Sequence, residues 1–233
     1  MSSYTATYGG KKHFIGVSGI IGAGKSTLTS QLSKELGFEM IEEPVKENPY
    51  LPLFYEDMLK YGFTMQIFLL GKRFEQHQGM IWGRHSAIQD RTIWEDVIFA
   101  KMLHEAGNMT DLDFNTYQTL FESMTNFLRR LDIIVYLDVS PETALKRIHL
   151  RGRECEKSIP LEYLKALKKG YEDWLTHMEK EMTVIRIPWD EFKTTEYVIE
   201  QIQAAMRRPL PIIPKREVSS YSTASTRNSP IEC

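Results

Sequence analysis

Eight consecutive residues, Gly19-Ile20-Ile21-Gly22-Ala23-Gly24-Lys25-Ser26, match the pattern G-x-x-x-x-G-K-[ST] in full. Such a loop lets backbone N–H groups converge on phosphate oxygens. The following helix adds the partial positive charge of its N-terminus, and the lysine adds a full one. Ser26 offers a hydroxyl to Mg²⁺, and Thr27 continues the same turn. The motif implies a nucleoside triphosphate without naming what receives its phosphoryl group. The guanine-reading N-K-x-D of GTPase switches is absent.

Further along, charged groups fall at the ends of expected strands, where ligands bind in an open α/β sheet. Glu43 follows the second strand, although Glu42 fits the same position equally well. Asp90-Arg91 places an anion and a cation at the end of the third, as a catalytic pair or as a structural ion pair. Arg147, Arg151 and Arg153 crowd three guanidiniums into seven residues. They can close over phosphates as a lid with bidentate hydrogen bonds, or form a charged helix face. Gln66 carries an amide donor and an acceptor, a match for an adenine edge. Arg73 lies seven residues on, on the same helix face, and Asp96 four residues after Thr92. Met65 and Phe99 either wall a base pocket or pack in the core. The six histidines form no cluster and receive no role.

Positioning these groups requires alternating strands and helices. Phe14–Ser18 reads as a buried strand running into the Gly-rich turn, and Lys25–Leu36 as a helix stopped by Gly37. Strands are expected at Glu39–Glu42, Ser86–Gln89, Asp132–Val139 and Val184–Ile187. Helices are expected at Met65–Met80, Thr92–Glu105, Asn115–Arg130, from Pro141, at Leu161–Lys180 and at Glu196–Met206. Ile-Ile-Val-Tyr-Leu in the fourth strand is the continuous apolar run of a sheet covered on both faces. The alternation implies a five-stranded parallel α/β sheet flanked by helices; with the phosphate loop and the three arginines, the expectation is a P-loop kinase with an arginine-rich lid.

The 233 residues, 42% hydrophobic and 26% charged, suit one domain. We expect that domain at 13–206, between a polar tail at 1–12 and a Pro/Ser/Thr-rich, disordered tail at 207–233. Basic and acidic totals of 29 and 31 give −2, so no chain-wide field favours nucleic acid or a membrane surface. Cys155 and Cys233 cannot build a disulfide scaffold, which points to a reducing compartment, the cytoplasm. The lack of acids before Glu35 leaves a mitochondrial address open, while the lack of arginine in Met1–Lys12 weighs against it.

Taken in order, the loop at 19–26, Glu43, Gln66, Asp90-Arg91-Thr92 and Arg147-x3-Arg151-x-Arg153 resemble the deoxynucleoside kinase family over nearly all of residues 13–205. Glu43-Pro44-Val45-Lys46-Glu47-Asn48-Pro49-Tyr50-Leu51 is similar to the bacterial-type deoxyadenosine and deoxyguanosine kinases. Asn48 stands where the animal pyrimidine-using enzymes carry a tryptophan. The resemblance implies ATP as donor and Mg²⁺ held through Asp90. It implies Glu43 as the base for the 5′-hydroxyl, and Arg91 on the 5′-oxygen and the transferred phosphoryl group. By the same resemblance Arg73 pairs with Asp96 in base readout, Tyr55 and Glu156 bind the sugar 3′-hydroxyl, and two chains form a homodimer through the helices at 65–80 and 115–130. Its implied function is phosphorylation of a deoxynucleoside, deoxyadenosine first, with deoxyguanosine or a broad range as the alternative. A nucleoside monophosphate kinase and a non-catalytic nucleotide-binding module are the more distant rivals.

Overall fold

The computed structural model describes residues 12–44, 48–153, 156 and 159–207. Five strands, β1 (Phe14–Ser18), β2 (Glu39–Ile41), β3 (Ala87–Asp90), β4 (Ile133–Asp138) and β5 (Thr183–Pro188), pair in parallel in the order β2-β3-β1-β4-β5. This is the expected α/β sheet. β1 lies at its centre, with Ile15 opposite Ile88 on one side and Ile133 on the other, and all five of its residues are buried. Because every strand runs the same way, the ends of β1, β2 and β3 open on one edge, and the chemistry-bearing residues collect there.

Helices cover both faces: α1 (Lys25–Leu36), α2 (Leu51–Glu56), α3 (Met58–Trp82), α4 (Asp96–Glu105), α5 (Asp111–Thr125), α6 (Pro141–Arg151), α7 (Leu161–Met178) and α8 (Thr195–Met206). In α1 the i, i+4 series Leu28, Leu32 and Leu36 is buried. Each of these leucines contributes roughly 1.5–3 kcal/mol on burial. Two glycines matter for the site. A Cβ on Gly22 (φ 83°) would stand 2.5 Å from the Ala144 carbonyl oxygen, so the phosphate loop can press against α6 only with glycine there. A Cβ on Gly16 would meet Thr92 Cγ2 at 2.4 Å, so the bare backbone of β1 admits the segment that carries Arg91.

Boundaries differ from the expectation where a cap outweighs apolar periodicity. α3 begins at Met58, not Met65, because Asp57 Oδ1 accepts from the Lys60 N–H (3.0 Å). α5 begins at Asp111, capped by Thr110, and ends at Thr125, short of Arg130. The expected helix from Thr92 opens as a 3-10 turn, Ile93–Glu95, closed by a capping box between Thr92 and Glu95. Lys12 Nζ donates to the carbonyls of Ile81 (3.2 Å) and Gly83 (2.7 Å). The expected tails otherwise lie outside the described residues, as do Val45 to Glu47, Cys155 and Cys233. None of the described helices is long and apolar enough to cross a membrane.

Candidate active site

At the carboxyl edge of the sheet a cavity of about 840 Å³ runs from the phosphate loop past the ends of β2 and β3 to α3. That volume suits a drug-sized ligand or larger. Its loop end is lined by Ile21, Gly22, Gly24, Lys25, Ser26 and Thr27, whereas Gly19, Ile20 and Ala23 shape the loop without lining it. α1 starts from Gly24 (φ 93°) with no side-chain cap, so its first N–H groups keep their capacity for an anion. Lys25 Nζ donates to the carbonyls of Gly19 (3.0 Å) and Ile20 (3.1 Å). Burial, joined by the nearby charge of Arg91, lowers its pKa to about 8.

Asp90, at the end of β3, is 1% exposed. Its Oδ2 accepts from the Ser26 hydroxyl, and its Oδ1 has no protein partner. Burial raises its pKa, against the pull of Lys25. An unpartnered buried carboxylate oxygen beside a loop hydroxyl fits a hard cation held mainly by phosphates and water. Among the described residues no group of three His, Cys, Asp or Glu forms an all-protein metal cage.

Glu43 joins the two ends of the site. Its Oε1 accepts from Arg91 Nε at 2.7 Å and from Arg73 Nη2 at 3.0 Å. Burial alone would raise this carboxyl, but Arg91 and Arg73 outweigh it and hold the pKa at about 2. With its side chain 22% exposed against 2% and 3% for the arginines, Glu43 is the member of the group that a ligand reaches. Of the two adjacent carboxylates, Glu43 makes the arginine contacts and lines the cavity beside both arginines. Glu42 is exposed and its carbonyl accepts from Gln76 (3.0 Å).

Towards α3, Arg73 Nη1 binds Asp96 Oδ1, so the expected pair is formed. Burial raises Asp96 to about 7 against the charge of Arg73. Gln66 is 2% exposed, lines the cavity, and leaves its Oε1 without a protein partner; Arg73 Nε is likewise unpartnered. Tyr55, Met65 and Phe99 line the same end, and Met65, 6% exposed, belongs to the core as well as to the cavity wall. Phe99 lies under the Arg91 guanidinium, 4.7 Å from ring centroid to Cζ.

The three arginines expected as one lid separate into two groups. Arg151 and Arg153 line the cavity and both bind Glu156, Arg153 at 3.3 Å. Arg147 is absent from the cavity lining and lies against the phosphate loop and the segment after β5. Its guanidinium donates to the carbonyls of Trp189 (2.8 Å), Asp190 (2.9 Å) and Ala23 (3.3 Å) and stacks on Phe192 at 4.0 Å. Residue 147 sits one turn before 151 on α6 and meets the segment after β5. Glu156, expected on the sugar, is here the counter-ion of Arg151 and Arg153.

Two buried residues escaped the sequence reading. Glu95, 0% exposed, accepts from Ser18 Oγ (2.8 Å), Thr92 N (2.8 Å), Tyr171 Oη and Arg91 Nη1 (3.4 Å). Tyr171 accepts from Arg91 Nη1 at 2.5 Å. The Thr92-x-x-Glu95 capping signature could have marked the first; nothing local marks the second.

Residues 15–210 match the profile of the family described as deoxynucleoside kinase. A deoxyadenosine kinase of Dictyostelium discoideum is 50% identical over 190 residues, covering 82% of this chain and 78% of that protein. A deoxyadenosine/deoxycytidine kinase of Bacillus subtilis is 40% identical over 169 residues, 71% of this chain and 78% of that one. A solved structure of deoxyadenosine kinase from M. mycoides with bound dCTP superposes with a TM-score of 0.73 at 35% identity, covering 82% of this chain and 99% of that one. With the phosphate loop, the strand-end carboxylates and the fold all in agreement, the chain belongs to the deoxynucleoside kinase family.

Proposed function

We propose that this deoxynucleoside kinase transfers the γ-phosphoryl group of ATP to the 5′-hydroxyl of deoxyadenosine, with Mg²⁺ held at Asp90 and Ser26. The observation that carries the choice of base is the pairing of an unpartnered acceptor, Gln66 Oε1, with an unpartnered donor, Arg73 Nε, at the end of the cavity away from the phosphate loop. Adenine offers the complement, an amino donor beside the N7 acceptor, whereas guanine offers two acceptors on that edge. Cytosine also carries an amino group, which makes deoxycytidine the second substrate in rank. The Dictyostelium and Bacillus relatives, named for deoxyadenosine and for deoxyadenosine/deoxycytidine, support deoxyadenosine as the first substrate.

Phosphoryl transfer asks for positioning and charge neutralisation more than for covalent chemistry. Asp90 and Ser26 would hold Mg²⁺, which would supply neutralisation of phosphate charge. Lys25 and the open N–H groups of the loop grip the same phosphates, and Arg151 and Arg153 close from the lid. Glu43, ionised at neutral pH, accepts the 5′-hydroxyl proton as that oxygen bonds to the γ-phosphorus and the bond from phosphorus to the bridging oxygen breaks, releasing ADP. Arg91, already bonded to Glu43, faces both the attacking oxygen and the charge developing on the phosphoryl group. Tyr55 holds the sugar, with Glu156 joining once its arginines turn to phosphate. We extend the proposal to a homodimer through α3 and α5, since α5 buries only Tyr117 and exposes Leu112 and Leu120 (76% and 41%). The reducing compartment expected from the two cysteines, the cytoplasm, completes it.

The test is an initial-rate panel of the four deoxynucleosides, adenosine and dAMP with ATP and Mg²⁺. Deoxyadenosine is expected to give the highest kcat/KM and deoxycytidine the next. A deoxyguanosine optimum would reverse the base assignment, and a preference for dAMP would revive the monophosphate kinase reading.

A further inference from the structure

Arg91 is the only non-glycine among the described residues with a positive φ, 62°. A side chain held in the left-handed region persists only where its surroundings over-determine it, and such residues collect at functional sites. The restraints here can be named. The Arg91 N–H donates to the Val17 carbonyl at 3.0 Å, extending the β1–β3 pairing by one residue. The guanidinium is then pinned at three corners: Nε on Glu43 (2.7 Å), Nη1 on the Tyr171 hydroxyl (2.5 Å), and Nη2 towards the Gly19 carbonyl (3.5 Å).

We propose that Tyr171 is a positioning residue for phosphoryl transfer, its hydroxyl setting the orientation in which the Arg91 guanidinium meets Glu43 and the phosphate loop. Glu95 alone would not do this, since it stands 3.4 Å from Arg91 Nη1, too far for a strong charge-assisted bond. The phenol fills that gap: it accepts from Arg91 and donates to Glu95 Oε2. Glu95 in turn is locked by Ser18 and by the Thr92 N–H, so the relay ends on a group that cannot follow a moving arginine. Burial raises the Tyr171 pKa well above its ordinary value, so the hydroxyl keeps the proton that the relay needs. The other side-chain contacts of Arg91 come from Glu43 after β2, Gly19 after β1, Glu95 in the 3-10 turn and the ring of Phe99 on α4. Tyr171 alone reaches it from α7, eighty residues away, on the helix that starts at Leu161 beyond the lid arginines.

The inference rests on the reading of Arg91 and Glu43 as catalytic, and the experiment separates the two. Tyr171→Phe keeps the ring that packs edge-on against Trp174 (86°, 5.9 Å between centroids) and removes only the hydroxyl. Its single-turnover rate with deoxyadenosine and MgATP is expected to fall on the order of tenfold, the effect of about 1.4 kcal/mol on the barrier. KM for both substrates should stay within about twofold. In an Arg91→Lys background, which lacks the fork that Tyr171 holds, the same change is expected to cost nothing further. An unchanged rate in Tyr171→Phe, or equal losses in both backgrounds, overturns the proposal. If Arg91→Lys itself turns over normally, the catalytic reading of Arg91 is what fails. Glu95→Gln probes the relay from its other end in the same assay and is expected to lose rate in the same sense. Either variant that folds therefore decides the matter.

Discussion

At the ends of β2 and β3, Glu43, Arg73, Arg91, Glu95 and Asp96 are bonded into one group whose two arginines are 2% and 3% exposed. Beyond α6, Arg151 and Arg153 share Glu156 with their side chains 37% and 47% exposed. The charge types are alike, but the first set is desolvated and cross-braced from α3, the 3-10 turn and α7, whereas the second, among the described residues, is bonded within itself. Charges that must not reorganise during transfer are buried and interlocked, which is how preorganised electrostatics lower a barrier. In the proposed mechanism, the charges that let ATP in and ADP out sit where solvent screens them and exchange of partners is cheap. The two sets are therefore expected to respond differently to substitution.

The largest effect should come from Glu43→Gln. It keeps the shape of the side chain but offers no base, and kcat is expected to fall about 10²–10⁴-fold. Equilibrium binding of ATP, read by calorimetry, should change little, because the loop and lid are untouched. Turnover within a few-fold of the parent would remove Glu43 as the proton acceptor and leave it a tether for the two arginines.

Asp96→Ala comes next and reads stability. It strips Arg73 of one partner inside the core, and breaking a buried pair costs about 3–5 kcal/mol. For a chain of this size that lowers Tm by roughly 10 °C. Arg153→Ala, the matching change in the lid, should move Tm by less than about 2 °C, because an exposed pair contributes about 0–1 kcal/mol. It should instead raise KM for ATP several-fold. Equal losses of Tm in the two variants would erase the distinction between an interlocked cluster and a screened lid.

How much of this was legible in the sequence follows from the range of each interaction. The phosphate loop is local: strand, glycines and helix lie within residues 14–36, and the loop was read in full. Asp90-Arg91 is equally local. Gln66 and Arg73 share a helix face, and their joint place at the cavity follows from spacing alone. The placement of Arg147 was not legible, since it is decided by carbonyls at 189 and 190, some forty residues on, and by the ring of Phe192. Tyr171 is a more distant case: on α7 it sits among Leu164, Leu167 and Leu175 at apolar spacing and reads as plain core. Only the packing of α7 beside α4 brings its hydroxyl to Arg91. The start of α3 was missed for the opposite reason, because a single cap residue, Asp57, outweighs seven residues of weak periodicity.

The smallest expected effect tests the boundary between the two regions at Lys25. This ammonium belongs to the phosphate loop yet is buried with the strand-end cluster, and burial together with Arg91 lowers its pKa to about 8. Bound triphosphate places several negative charges on Nζ and returns the pKa towards or above its ordinary 10.5, so binding must take up protons wherever free Lys25 is partly neutral. At pH 8 that uptake is about half a proton per ATP, at pH 7 about a tenth, and at pH 9 close to one. Calorimetric titration with MgATP in buffers of different ionisation enthalpy measures it directly. Lys25→Met is expected to abolish the uptake. No uptake at pH 9 in the parent would mean that Lys25 is already fully charged before ATP arrives, and that burial of this lysine is more than offset by Asp90 and Glu43.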